Sequence, residues 1–250
     1  MKLFLLRKIC VATTAVLAFK TSALAVAVYD NSTVDTGQDL AFHDGQTIGN
    51  QITLAGSGPY MLTDFSFEYY TPQLSFFGSV TADVRFYLNN GAPANGFATP
   101  GTVFYDSGSF NLEPAYTASG FNVATIDFAN ILYPGPYSPN NPASPVSVPV
   151  PDSFTFTISL SGVGTNNIGA ELFSPATVGG NDGAYWYNNG SGWNLLTNST
   201  GGASTIGARL SAVPTPDRAS TLFLGIIGMS SLFGVSKLRI FKPTKAQKQF

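Results

Sequence analysis

The chain is poor in the residues from which most enzyme sites are built. Its 250 residues include one cysteine and one histidine. Cys10 lies in a leader-like N terminus, in a small apolar context, so the body behind it has no disulfide and no Cys/His metal cluster. A nucleophile–histidine triad can be built only around His43. That residue stands between Phe42 and the turn pair Asp44-Gly45 and reads as a surface turn histidine. There is no Gly-x-Ser-x-Gly, and both Gly56-Ser57-Gly58 and Gly190-Ser191-Gly192 read as loops.

Basic charge is also scarce, and its placement is informative. Of twelve Lys and Arg, four lie in the first twenty residues and six from Arg218 onward. The stretch 26–216 keeps only Arg85 and Arg209 against thirteen of the fourteen acids, a net charge of −11. The formal −2 of the whole chain hides an acidic body between two basic ends. With no basic stripe to neutralise phosphates, nucleic-acid binding is excluded, and an anionic lipid surface would repel the body.

No convincing helical period occurs between residues 28 and 212. Period-two alternation does. Val80, Ala82, Val84, Phe86 and Leu88 alternate with Thr81, Asp83, Arg85 and Tyr87. Phe154, Phe156, Ile158 and Leu160 alternate with Thr155, Thr157 and Ser159; Phe65, Phe67 and Tyr69 alternate with Asp64, Ser66 and Glu68. These are half-buried strand signatures. Asn89-Asn90-Gly91, Asp106-Ser107-Gly108, Asn188-Asn189-Gly190 and Gly179 to Gly183 carry turn chemistry. Tyr133 to Pro151 holds seven prolines and reads as a long extended loop within the same domain. The pattern predicts an all-β, two-sheet β-sandwich, jelly-roll-like, over residues 26–212, stabilised by its core alone.

Both ends read as targeting segments. Lys2, Arg7 and Lys8 precede an eleven-residue uncharged run, Ile9 to Phe19, and then Ala23-Leu24-Ala25 and Ala25-Val26-Ala27. This predicts a signal peptide over 1–25 cut after Ala25, with Ala27 as the second site. At the other end, eighteen uncharged residues separate Arg218 from Lys237. As a helix they span roughly 27 Å, near the thickness of a bilayer core. Lys237, Arg239, Lys242, Lys245 and Lys248 follow as a cytoplasmic positive anchor. The expectation is a single transmembrane helix over 219–236 within a C-terminal segment, 213–250.

Val213, Pro214 and Pro216, then Ser220-Thr221-Leu222, the apolar run and the basic end resemble the PEP-CTERM sorting signal of bacterial surface proteins. The resemblance implies an exosortase-type membrane protease as partner, cutting near the proline motif. Two features depart from it: Thr215 stands where the usual glutamate lies between the prolines, and the tail is longer and richer in Lys. In the body, Val84 to Tyr87 with Asn89-Asn90-Gly91, Pro100 to Gly108, Phe154 to Thr157, Tyr185-Trp186 and Gly192-Trp193 resemble a β-sandwich module that precedes this signal in other such proteins. That module has no assigned activity, so the resemblance implies fold and address rather than chemistry.

Two binding constellations stand out. Tyr185, Trp186, Tyr187 and Trp193 cluster between Gly/Asn turns and are candidate glycan contacts; the competing reading puts both tryptophans in the sandwich core. Asp30, Asn31 and Asp35, or Asn181 and Asp182, offer oxygen ligands of the kind Ca²⁺ takes, though not at EF-hand spacing. The sequence therefore predicts an exported, non-enzymatic cell-surface or matrix protein, associated with extracellular polysaccharide. The alternatives are a carbohydrate-binding lectin or adhesin, and an extracellular hydrolase working through two carboxylates.

Overall fold

In the computed structural model, residues 24–114, 121–128, 148–197 and 205–215 are described. Residues 1–23 of the predicted leader, the apolar span 219–236, the basic tail and most of the proline-rich segment lie outside them. The described residues are all-β, with every ladder antiparallel and no helix. No helix among them is therefore long and apolar enough to cross a membrane.

Strands are numbered β1 to β17 in chain order. One sheet holds β1 (Val26–Asp30), β2 (Asp35–Ala41), β4 (Tyr60–Tyr70), β9 (Phe121–Asp127), β10 (Val148–Val150), β12 (Gly169–Phe173), β16 (Thr205–Ile206) and β17 (Ala208–Pro214). The other holds β3 (Thr47–Thr53), β5 (Val80–Tyr87), β8 (Val103–Leu112), β11 (Ser153–Ser161), β13 (Gly180–Asn181), β14 (Ala184–Asn188) and β15 (Trp193–Thr197). A small hairpin, β6 (Pro93–Ala94) and β7 (Phe97–Ala98), stands apart. The first sheet runs β1-β17-β4-β12-β16, with β9 and β10 also on β4 and β2 on β12. The second runs β15-β14-β3-β11-β5-β8, with β13 on β3.

The three predicted alternations form β4, β5 and β11, and their apolar sets face one another. Phe65 of β4 lies 5.3 Å from both Phe86 of β5 and Phe156 of β11, ring centre to ring centre. Those three rings are fully buried, as are Phe67, Phe154, Ile158 and Leu210. The chain changes sheet at β2–β3, β3–β4, β4–β5, β8–β9, β10–β11, β11–β12, β12–β13 and β15–β16, so one core is shared by both layers in a β-sandwich-like fold.

Two sequence readings need correction. Asp106-Ser107-Gly108 is not a connecting turn; it is a bulge inside β8. The register against β5 slips between Asp83 and Arg85. Gly108 takes a left-handed φ of 63°, its N–H donates to Asp106 Oδ1 at 2.8 Å, and Ser107 Oγ accepts the Val84 N–H at 2.8 Å. The local Asx geometry is the expected one, but cross-strand pairing absorbs it. The proline-rich segment also ends in a strand rather than a loop, since Val148–Val150 pairs with Tyr60 to Leu62 at the edge of β4. In addition, the body extends past residue 212: β17 continues to Pro214, where the compact unit ends.

Candidate functional site

The predicted aromatic cluster is divided by the pleat. Trp186 pairs with Gly49, and Gly49 pairs with Thr157, which faces away from the core shared by the sheets. Trp186 therefore lies on the outward face of its sheet. Tyr187 pairs with Ile48 and packs against the core, and Tyr185 shares that inward side. The four aromatics do not form one surface.

The outward face is nonetheless covered. Trp193 of β15 reaches Tyr87 of β5, with ring centres 5.6 Å apart and planes at 79°. These strands are four steps apart in the sheet, about 19 Å if it were flat. The contact requires the sheet to roll onto this face, closing Trp193 and Tyr87 over Trp186, Thr155 and Thr157. All three covered residues are at most 1% exposed. Gly49 makes the approach possible, because a Cβ there would run into the Phe156 carbonyl and Thr157. Thr155 Oγ donates to Asn89 Oδ1 at 2.7 Å, whereas Trp186 Nε1 and Gln51 Oε1 are buried without partners. Trp186 is thus buried, but on the outward face of its sheet rather than in the core between the sheets where one sequence reading put both tryptophans. At the edge of the face, Arg85 is paired with Asp83 at 3.2 Å and Asp106 at 2.8 Å.

On the opposite sheet, Glu68 and Glu171 flank Gly207. The Gly207 N–H donates to the Glu171 carbonyl and its own carbonyl accepts the Glu68 N–H, both at 2.8 Å. The chain between β16 and β17 is thereby inserted between β4 and β12. Only glycine fits, since a Cβ would meet the Phe173 ring at 2.5 Å and Glu68 Cβ at 3.2 Å. The Glu171 carboxyl is pushed up to about 7 by burial, then by Asp35, Asp39 and Glu68. Glu68 rises to about 7 by burial, then by Asp30 and Asp35. Arg209, the body's other cation, stands 3.8 Å from Asp30. These two glutamates carried no sequence signal beyond the alternation that turns Glu68 outward.

Several of the Ca²⁺ candidates are engaged within the fold. Asn31 is fully buried; its amide nitrogen donates to Thr205 Oγ at 2.7 Å, while its Oδ1 is buried without a partner. Asp30 accepts from Ser32, and Asp35 accepts from the Gly37 N–H at 2.7 Å. Asn181 bonds Tyr29 at 3.2 Å. Among the described residues no group of three or more His, Cys, Asp or Glu is placed to hold a metal ion. His43 is exposed in the turn after β2, as predicted, with its carbonyl accepting the Gln46 N–H.

A cleft of about 280 Å³ opens at the end of the body where β4 passes into β5. Leu74, Ser75, Phe76, Gly78, Ser79 and Val80 form one wall; Asn111, Leu112, Glu113 and Pro114 form the other. Val80 pairs with Leu112, which fixes the walls in register. Each rim is also pinned by a buried polar side chain. Asn166 accepts the Phe77 N–H at 2.8 Å and donates to the Phe77 carbonyl at 3.2 Å. Tyr69 O–H donates to the Glu113 carbonyl at 2.7 Å. Leu74 and Phe77 project beside the cleft, 63% and 74% exposed.

Of the sorting-motif residues, Val213 and Pro214 belong to β17 and pair with Met61 and Tyr60. Pro216, Ser220, Thr221 and Leu222 lie outside the described residues. Comparison of the chain with protein-family models, curated proteins and solved structures gives no match, so its own geometry carries the functional reading.

Proposed function

We propose that this chain is an exported, non-enzymatic surface or matrix protein whose jelly-roll-like sandwich is displayed outside the cell. Residues 1–25 direct export, 219–236 hold a membrane intermediate, and an exosortase-type protease removes the C-terminal segment. The observation that carries this reading is that both ends of the body meet in one ladder: Val26, first after the predicted leader cut, pairs with Ala212, just before the proline motif. A body bounded so closely by two targeting segments suits a domain that is complete once both are gone. Because Val213 and Pro214 are strand-paired, scission belongs beyond Pro214, where the chain leaves the ladder.

A second reading, association with extracellular polysaccharide, draws on the half-buried Trp193 set against Tyr87 and on the hydroxyl- and amide-lined cleft. Intact-mass analysis of the mature surface protein in an exosortase-bearing bacterium tests the sorting reading. The expected mass lacks the Lys-rich tail, and replacing Pro214 and Pro216 with Ala makes an uncut membrane form accumulate. A tail retained on most molecules means an ordinary permanent anchor.

A further inference from the structure

We propose that the cleft between Leu74–Val80 and Asn111–Pro114 binds one uncharged sugar unit of an extracellular polysaccharide. This rests on the polysaccharide reading above and gives it a site.

Position comes first. Tyr60, the first residue of β4, pairs with Pro214, so the chain leaves the body at that end of the strand. β4 then runs eleven residues to Tyr70, roughly 36 Å at most, before the loop that builds the cleft. The cleft therefore opens at the end of the body away from the chain's exit.

Chemistry selects the occupant. Ser75 and Ser79 offer hydroxyls, Asn111 an amide and Glu113 a carboxylate, a set that matches several hydroxyls on one ring. Leu74 and Phe76 supply the apolar contact that the C–H face of a sugar needs. Among the described residues no Lys or Arg lines the cleft, and Glu113 adds negative charge to an already acidic body, so uronates, sulfates and phosphates are disfavoured. The volume lies just below the range of drug-sized sites, which suits a single small unit rather than a peptide.

Preorganisation separates this cleft from an ordinary surface dent. Asn166 is 7% exposed and Tyr69 2%, and each spends its polar atoms holding one rim. The loop backbone is thus ordered before any ligand arrives, which lowers the entropy lost on binding.

The test uses the full chain in mild detergent. Methyl glycosides of glucose, galactose, mannose and N-acetylglucosamine, with glucuronic acid as the anionic control, are titrated while amide shifts are followed by NMR. At least one neutral glycoside should shift the amides of Ser75, Ser79, Asn111 and Glu113, and glucuronic acid should not. Glu113→Gln should weaken that glycoside about tenfold or more, as expected when a charged hydrogen-bond partner is lost, with an unchanged melting midpoint. Ser79→Phe, which fills the cleft, should abolish binding. The inference is overturned if no glycoside perturbs the cleft or if glucuronic acid binds equally well. A neutral polysaccharide that still binds both cleft variants would overturn this site while leaving the polysaccharide reading intact.

Discussion

Val26 and Ala212 face each other at the start of the β1–β17 ladder. A leader cut after Ala25 leaves Val26 in place to make that pair, whereas a cut after Ala27 removes both Val26 and Ala27 and the first two rungs with them. N-terminal sequencing of the exported protein should therefore begin at Val26. Deleting Val26 and Ala27 should destabilise the body by about 1–2 kcal/mol, the net worth of one or two backbone hydrogen bonds. Mature protein starting at Val28 with an unchanged melting midpoint would count against this.

The two tryptophans should respond unequally to truncation. Trp186 is fully buried and Trp193 only partly so. Trp186→Ala should cost roughly 3–5 kcal/mol. Trp193→Ala should cost about 1 kcal/mol, mainly through the lost edge contact with Tyr87. Chemical denaturation of both variants measures this, and equal midpoints would refute the rolled-sheet account.

Stability should fall as pH rises from 5 to 8. Glu68 and Glu171 titrate near 7 in the fold, above the ordinary 4.5, so the fold favours their protonated forms. Their contribution is fully present below about 4.5 and is lost as pH passes through 7. Allowing for solvent screening at the partly exposed Glu68, each should contribute about 1–2 kcal/mol. Melting curves across this range should slope downward for the parent and flatten in Glu68→Gln and Glu171→Gln. A parent more stable at pH 8 than at pH 5 would remove the basis for the raised Glu68 and Glu171 carboxyls.

Gly207→Ala should destabilise by about 1–3 kcal/mol, because the new methyl enters the Phe173 ring and crowds Glu68. Gly180→Ala, where a Cβ meets nothing within 4 Å, is the matched control and should be close to neutral. Similar losses in both would point to backbone entropy rather than to the close approach of three strands.

Strand identity was legible because alternation is local: Phe65, Phe86 and Phe156 declare their faces within a few residues. The bulge at Asp106 to Gly108 was not, because an Asx pair followed by a left-handed glycine looks the same in a hairpin turn and in a bulged strand. Which face Trp186 occupies depends on β14 pairing with β3 in register with Gly49, far away in sequence. Burial of Trp186 could be foreseen from residue type, but its separation from the main core could not. The cleft was equally hidden. Its walls come from segments about thirty residues apart, and the side chains that pin them, Tyr69 and Asn166, carry no motif.

Rolling one sheet over Trp186 has an optical consequence. The chain's two indoles occupy different surroundings, one sealed among threonines and a bare glycine, the other edge-on to a tyrosine near solvent. A collisional quencher should reach Trp193 first and Trp186 only when the β14–β15 hairpin lifts. Fluorescence can therefore follow the loosening of that hairpin separately from melting of the phenylalanine core.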